Sequence, residues 1–83
     1  MVRVKLYGRA RQLTGTEDVH IELEGPTHLK GLLQRILKNQ ELVPSQDVQA
    51  ILINGRNCIF LDGLDTQVQD GDTIEILPIV TGG

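Results

Sequence analysis

The sequence predicts an α+β fold, a mixed five-strand sheet packed on one main helix, and three observations lead there. Residues 2–7 and 18–24 alternate apolar and polar side chains, as strands with one buried face do. Residues 28–40 then change to a helical period, and residues 48–54, 56–60 and 73–80 return to strand character. In a chain of 83 residues, which buries only about 60–65% of its unfolded surface, one helix stripe and one sheet face are just enough to cover each other.

In the first strand Val2, Val4 and Leu6 share one face, with Arg3, Lys5 and Tyr7 on the other. The polar stretch "GRARQLTG", bounded by Gly8 and Gly15, reads as a connection with room for one helical turn. "DVHIELE" alternates again with Val19, Ile21 and Leu23 inward, so the two strands form an antiparallel pair. Thr27 is the expected N-cap of "HLKGLLQRILKNQ". There Leu29, Leu32, Leu33, Ile36 and Leu37 fall on one stripe, Gly31 weakens the helix, and Lys38 suits its C-terminal dipole.

After Pro44, "VQAILIN" is the third strand, Asn54-Gly55 the signature of a two-residue hairpin turn, and "RNCIF" a short fourth strand. "LDGLDTQVQDGD" is turn-rich, with Leu64 and Val68 expected inward. "TIEILPIV" is the last strand, and Pro78 is expected to end its hydrogen-bonded ladder. This order is that of a β-grasp: a β-grasp domain over residues 1–80, followed by a flexible functional tail at 81–83.

Composition narrows the function. Net charge is −3, and outside the first eleven residues four basic side chains face eleven acidic ones, which argues against nucleic acid as a partner. Arg3, Lys5, Arg9 and Arg11 make a basic run without an acid inside it, suited to meeting a protein in one orientation. No apolar run approaches the ~18 residues of a membrane span, and the N-terminus has no signal-peptide pattern. A single cysteine, Cys58, excludes an internal disulfide or a multi-cysteine metal centre. These features lead us to expect a cytoplasmic protein with no membrane or nucleic-acid partner.

Most candidate sites have a structural explanation. Cys58 has no neighbouring cation in sequence to activate it. His20 and His28 lack a third ligand, and Asp70-Gly71-Asp72 reads as a turn rather than a calcium loop. The end of the chain, "PIVTGG", is different. Gly82-Gly83 can enter a slot too narrow for any side chain. Extended chain from Val80 to Gly83 reaches ~14 Å, enough to place a carboxylate inside a partner's active site. That carboxylate, with a pKa of about 3.3–3.7, is ionised and a poor electrophile. A partner would activate it most simply as an acyl-adenylate.

The opening "VRVKLYGRARQLTG", the helix start "PTHLKGLL", the strand "ILING" and the ending "DGDTIEILPIVTGG" resemble the MoaD family, the small sulfur-carrying subunit of molybdopterin synthase. The resemblance spans essentially the whole chain, and thiazole-synthesis sulfur carriers (ThiS) and ubiquitin-like modifiers share the fold and the diglycine. It implies a ubiquitin-like β-grasp that binds no cofactor itself. A MoeB-like adenylyltransferase would use MgATP to adenylate Gly83. A persulfide donor or sulfurtransferase would convert the adenylate to a thiocarboxylate, and a MoaE-like large synthase subunit would pass the sulfur to cyclic pyranopterin monophosphate. Gly83 then carries the sulfur and Gly82 gives it passage.

By the same resemblance Tyr7, Arg11 and Leu77 fall on the docking surface. Parallel first and last strands would bring Tyr7, Arg9 and Arg11 to the end from which Ile79, Val80 and Thr81 lead out. The chain departs from the family where Ile79 replaces a second proline, where Leu77 replaces an aromatic, and where the segment from Asn54 to Asp70 is long. A thiazole-type carrier, a ubiquitin-like modifier and a non-catalytic interaction domain therefore stay open.

Overall fold

The computed structural model describes residues 1–37 and 49–78. In chain order these form β1 (Val2–Leu6), α1 (Gly8–Thr14), β2 (Asp18–Ile21), β3 (Thr27–His28), α2 (Leu29–Leu37), β4 (Gln49–Ile53), β5 (Arg56–Asn57), two short 3-10 turns (Cys58–Phe60 and Gly63–Asp65), β6 (Gln67–Val68) and β7 (Thr73–Pro78). Lys38 and Pro44 lie outside the described residues.

Five strands make one mixed sheet in the order β2-β1-β7-β4-β5. The two central strands, β1 and β7, run parallel with Val4 opposite Ile74 and Leu6 opposite Ile76, and every other pair in the sheet is antiparallel. This is the β-grasp arrangement. Its cause is visible in the pattern: Val2, Val4, Leu6, Ile51, Ile53, Ile74 and Ile76 alternate onto one face and are buried against Leu29 and Leu32 of α2. Each fully buried aliphatic side chain of this kind contributes about 1.5–3 kcal/mol, which is how a core without tryptophan, and with Phe60 outside it, holds together.

The connection after β1 is more than one turn. α1 runs seven residues, buries Ala10 completely, and stops where Gly15 takes the left-handed conformation (φ 72°) and donates its N–H to the Arg11 carbonyl at 2.8 Å. The predicted Asn54-Gly55 turn is present, with φ of 52° and 85° as a type I′ hairpin requires. Asn54 is also a clamp: its side chain donates to Asp72 Oδ1 at 3.0 Å and accepts from the Thr73 N–H at 2.9 Å. The hairpin is thereby tied to the turn that starts β7. Asp72 Oδ2 also accepts the Gln69 N–H, so the Asp70-Gly71-Asp72 segment is a turn with its carboxylate engaged.

Several expectations need correction. Thr27 does not cap the helix: it pairs with Val68 in a second, two-stranded sheet of β3 and β6, and α2 starts at Leu29, whose N–H donates to the Thr66 carbonyl. β2 ends at Ile21, short of the half-buried Leu23. The fourth strand is only Arg56–Asn57, because Asn57 accepts the Ile59 N–H and turns the chain into a 3-10 coil. Val68 is buried as expected, whereas Leu64 is exposed.

Candidate functional site

The parallel pairing of β1 and β7 decides which residues border the end of β7. At the close of β1 the Tyr7 N–H donates to the Ile76 carbonyl at 3.0 Å. A continued parallel ladder would next run from the N–H of residue 78 to the Tyr7 carbonyl. Residue 78 is proline and has no N–H. The Tyr7 carbonyl instead accepts the Arg11 N–H (3.5 Å), and the chain turns into α1. β7 is meanwhile still registered with β4, Leu77 opposite Ala50 and Pro78 opposite Gln49. One strand leaves the sheet at the level where its neighbour runs on toward residues 79–83.

That register arranges the outer face of the sheet in rows. Tyr7, Leu77 and Ala50 form the row at the end of β7, and Lys5, Glu75 and Leu52 the next one back. Tyr7 is 39% exposed and Leu77 half-buried. The face is thus apolar near the end of β7 and charged further away, the order a docking surface for the last strand's continuation would have. Ala50 and Leu52 were missed as members of this surface. The alternation of "QAILI" contains the signal, since whatever places Ile51 and Ile53 inward places these two outward.

Arg9 and Arg11 both belong to α1, at the same corner as Tyr7. The guanidinium of Arg11 is exposed and lies 3.3 Å from Glu17 Oε2. With Gly8, Gln12 and Gly15 it lines a shallow notch. Arg3 makes a forked contact with Asp18, at 2.8 Å to Oδ2 and 3.2 Å to Oδ1. The hydrogen bond from Arg3 holds the Asp18 carboxyl below its usual range. The basic run is therefore less isolated than its sequence suggests, because β2 and the loop before it bring Glu17 and Asp18 across from Arg11 and Arg3. Both pairs are exposed and weak, so the arginines can exchange partners.

Of the remaining predicted site residues, Ile79, Val80, Thr81, Gly82 and Gly83 lie outside the described residues. Cys58 is buried, and burial pushes its thiol up, away from reactivity. Among the described residues there is no group of three or more His, Cys, Asp or Glu side chains that could hold a metal ion. Nor is any helix among them long and apolar enough to cross a membrane.

A family model described as the ThiS family matches residues 4–83. The chain belongs to that family. It is 40% identical to small archaeal modifier protein 3 of Haloferax volcanii over 78 residues, 94% of this chain and 79% of that protein. It is 44% identical over 52 residues to a protein assigned as a sulfur carrier in Archaeoglobus fulgidus, 61% of this chain but only 56% of that relative's length. Among solved structures it resembles the Helicobacter pylori protein–protein complex of subunits 1 and 2 of molybdopterin-converting factor. The match there has a TM-score of 0.62 and 30% identity, covering 99% of this chain and 97% of the matched one. The family thus includes sulfur carriers and ubiquitin-like modifiers, and the described residues of this chain have the β-grasp fold.

Proposed function

We propose that this ThiS-family chain is a sulfur carrier for molybdenum- or tungsten-pterin cofactor synthesis, with Gly83 as the group that carries the sulfur. The observation that supports this most is the parallel β1/β7 pairing. It sets an apolar row (Tyr7, Leu77, Ala50) and the Arg9/Arg11 corner beside the strand that leads to "IVTGG". A folded body with a docking face at the root of a side-chain-poor segment suits delivery of a chain end into another protein's active site.

The chemistry then balances as follows. A partner adenylyltransferase joins the Gly83 carboxylate to AMP, releasing pyrophosphate from MgATP, which turns an unreactive anion into an acyl donor. The outer sulfur of a persulfide attacks that carbonyl carbon and AMP leaves. A second thiol cleaves the resulting acyl disulfide, is itself oxidised to a disulfide with the donor, and leaves a thiocarboxylate. In the large synthase subunit the thiocarboxylate sulfur forms a C–S bond at a side-chain carbon of cyclic pyranopterin monophosphate as the C–O bond there breaks, its oxygen leaving with the phosphate or as water. Hydrolysis of the acyl–sulfur bond restores the Gly83 carboxylate, and a second carrier delivers the second sulfur. This chain supplies the acyl group and the docking face, and its partners supply the catalysis.

Similarity over 94% of the chain to a small archaeal modifier protein supports a second reading, in which the activated Gly83 is passed to a lysine amine of another protein. Mass spectrometry of protein isolated from its native host separates the two. The carrier reading expects a form heavier by the exchange of one oxygen for sulfur at Gly83, and loss of molybdo- or tungstoenzyme activity when Gly82-Gly83 is deleted. Gly-Gly remnants on lysines of other proteins, with that activity intact after the deletion, would replace it with the modifier reading.

A further inference from the structure

Ile59 and Phe60 are the most exposed large apolar side chains among the described residues, at 70% and 77%, and Leu61 and Leu64 beside them are also exposed. Such exposure in a loose loop would mean little, but this segment is anchored. Asn57 Oδ1 accepts the Ile59 N–H at 3.1 Å, and the Leu61 N–H returns to the Cys58 carbonyl at 2.9 Å. Thr66, itself buried, accepts the Asp62 N–H at 3.0 Å through its hydroxyl and donates that hydroxyl to the Gly63 carbonyl at 2.7 Å. The Thr66 carbonyl in turn receives the Leu29 N–H, tying the segment to α2. Buried Cys58 pins its other end. The long stretch between Asn54 and Asp70 is thus a built presentation of two large apolar groups to water, a pre-organised anchor of the kind that dominates interfaces.

Its surroundings state the partner's chemistry. Asp62 and Asp65 follow the apolar pair in the same anchored segment and are exposed, and among the described residues neither forms an ion pair. Arg56, the one cation between 56 and 65, lies before Asn57 on the hairpin side. A second copy of this chain fits badly, because facing patches would oppose like-charged aspartates. The site is on the β5 side of the sheet, three strand spacings (~14 Å) from β1 and Tyr7.

We propose that Ile59 and Phe60, held outward by the two 3-10 turns and followed by exposed Asp62 and Asp65, form a docking knob for a protein segment that offers an apolar face bordered by lysine or arginine. The knob works independently of the chemistry at Gly83, and a carrier or a modifier could use it alike.

Titration of ¹⁵N-labelled protein with an amphipathic helical leucine–lysine peptide, and with its leucine–glutamate counterpart of equal length, tests this. The expected result is chemical-shift change centred on residues 57–66 with the lysine peptide only. Phe60→Ser should weaken that binding by about tenfold or more, and Asp62→Lys with Asp65→Lys should reverse the preference between the peptides. Since these side chains are exposed, the variants should keep the wild-type thermal midpoint. If Phe60→Ser lowers it, Phe60→Gln and the charge reversal decide. Equal response to both peptides, shifts centred on Tyr7 and Leu77, or shifts that depend on protein concentration without peptide would overturn the proposal. The last outcome would mean self-association.

Discussion

The Tyr7 N–H donates to the Ile76 carbonyl at 3.0 Å, and this is the last described rung between the two central strands. Beyond it Tyr7 turns its carbonyl to Arg11 while Pro78 has no N–H to offer. The sheet therefore opens at the row of Tyr7, Leu77 and Ala50, where β7 ends.

On the function proposed above, that junction makes Leu77 and Arg11 the sensitive positions for partner binding. Leu77→Asp, or Arg11→Glu, should weaken association with the adenylyltransferase or the large synthase subunit by more than about 1 kcal/mol, measured by calorimetry. Both residues are at least partly exposed, so the thermal midpoint should move little by comparison. Unchanged affinity for both proteins would put the docking surface elsewhere.

The Asn54 clamp sets a stability prediction at the opposite end of the sheet. Asn54→Ala removes both bonds to the β7 turn and puts a residue ill suited to φ 52° into the hairpin, so urea unfolding should show a loss of about 1–3 kcal/mol. Asn54→Asp keeps the acceptor for Thr73 but sets a carboxylate against Asp72. Its defect should shrink as pH falls and the pair protonates. Equal defects at pH 3 and pH 8 would contradict that account.

Gly31 lies in the first turn of α2 with ordinary backbone angles, and an added Cβ would meet Thr27 Oγ1 at 3.4 Å, an ordinary contact. Gly31→Ala should stabilise the domain by roughly 0.5–1 kcal/mol, through reduced freedom of the unfolded chain. A lower urea midpoint would mean that Thr27 cannot yield.

Acid titration addresses Asp18. Its carboxyl is held low by the hydrogen bond from Arg3, so its contribution is present above the unfolded carboxyl's pKa. It is lost as pH falls through the lower folded value. Comparison of Asp18→Asn with the parent should show a small stability difference near neutrality that vanishes at the acid end. A difference growing toward low pH would reverse the sign and refute the assignment.

The sequence was most legible where one physical rule acts along a contiguous stretch. Alternation identified the buried face of β1, the Leu29–Leu37 stripe located α2, and Asn54-Gly55 announced its own turn. It was least legible where two distant segments compete for one backbone group. Thr27 could have capped α2, but Val68 offered a strand partner and the Thr66 carbonyl took the Leu29 N–H. "RNCIF" has the composition of a strand, yet Asn57 captured the Ile59 N–H and ended it after two residues.

By itself, then, the sequence determined the layers, the core and the Gly82-Gly83 pair that follows the last strand, because side-chain period and residue type are local properties. The tertiary structure alone decided that Arg3 and Arg11 face Asp18 and Glu17, and that Ile59 and Phe60 stand in water. It also decided that Tyr7, Leu77 and Ala50 form one row. Each of these depends on strand order and register, which are set by which faces can be buried together and are not written in any one segment.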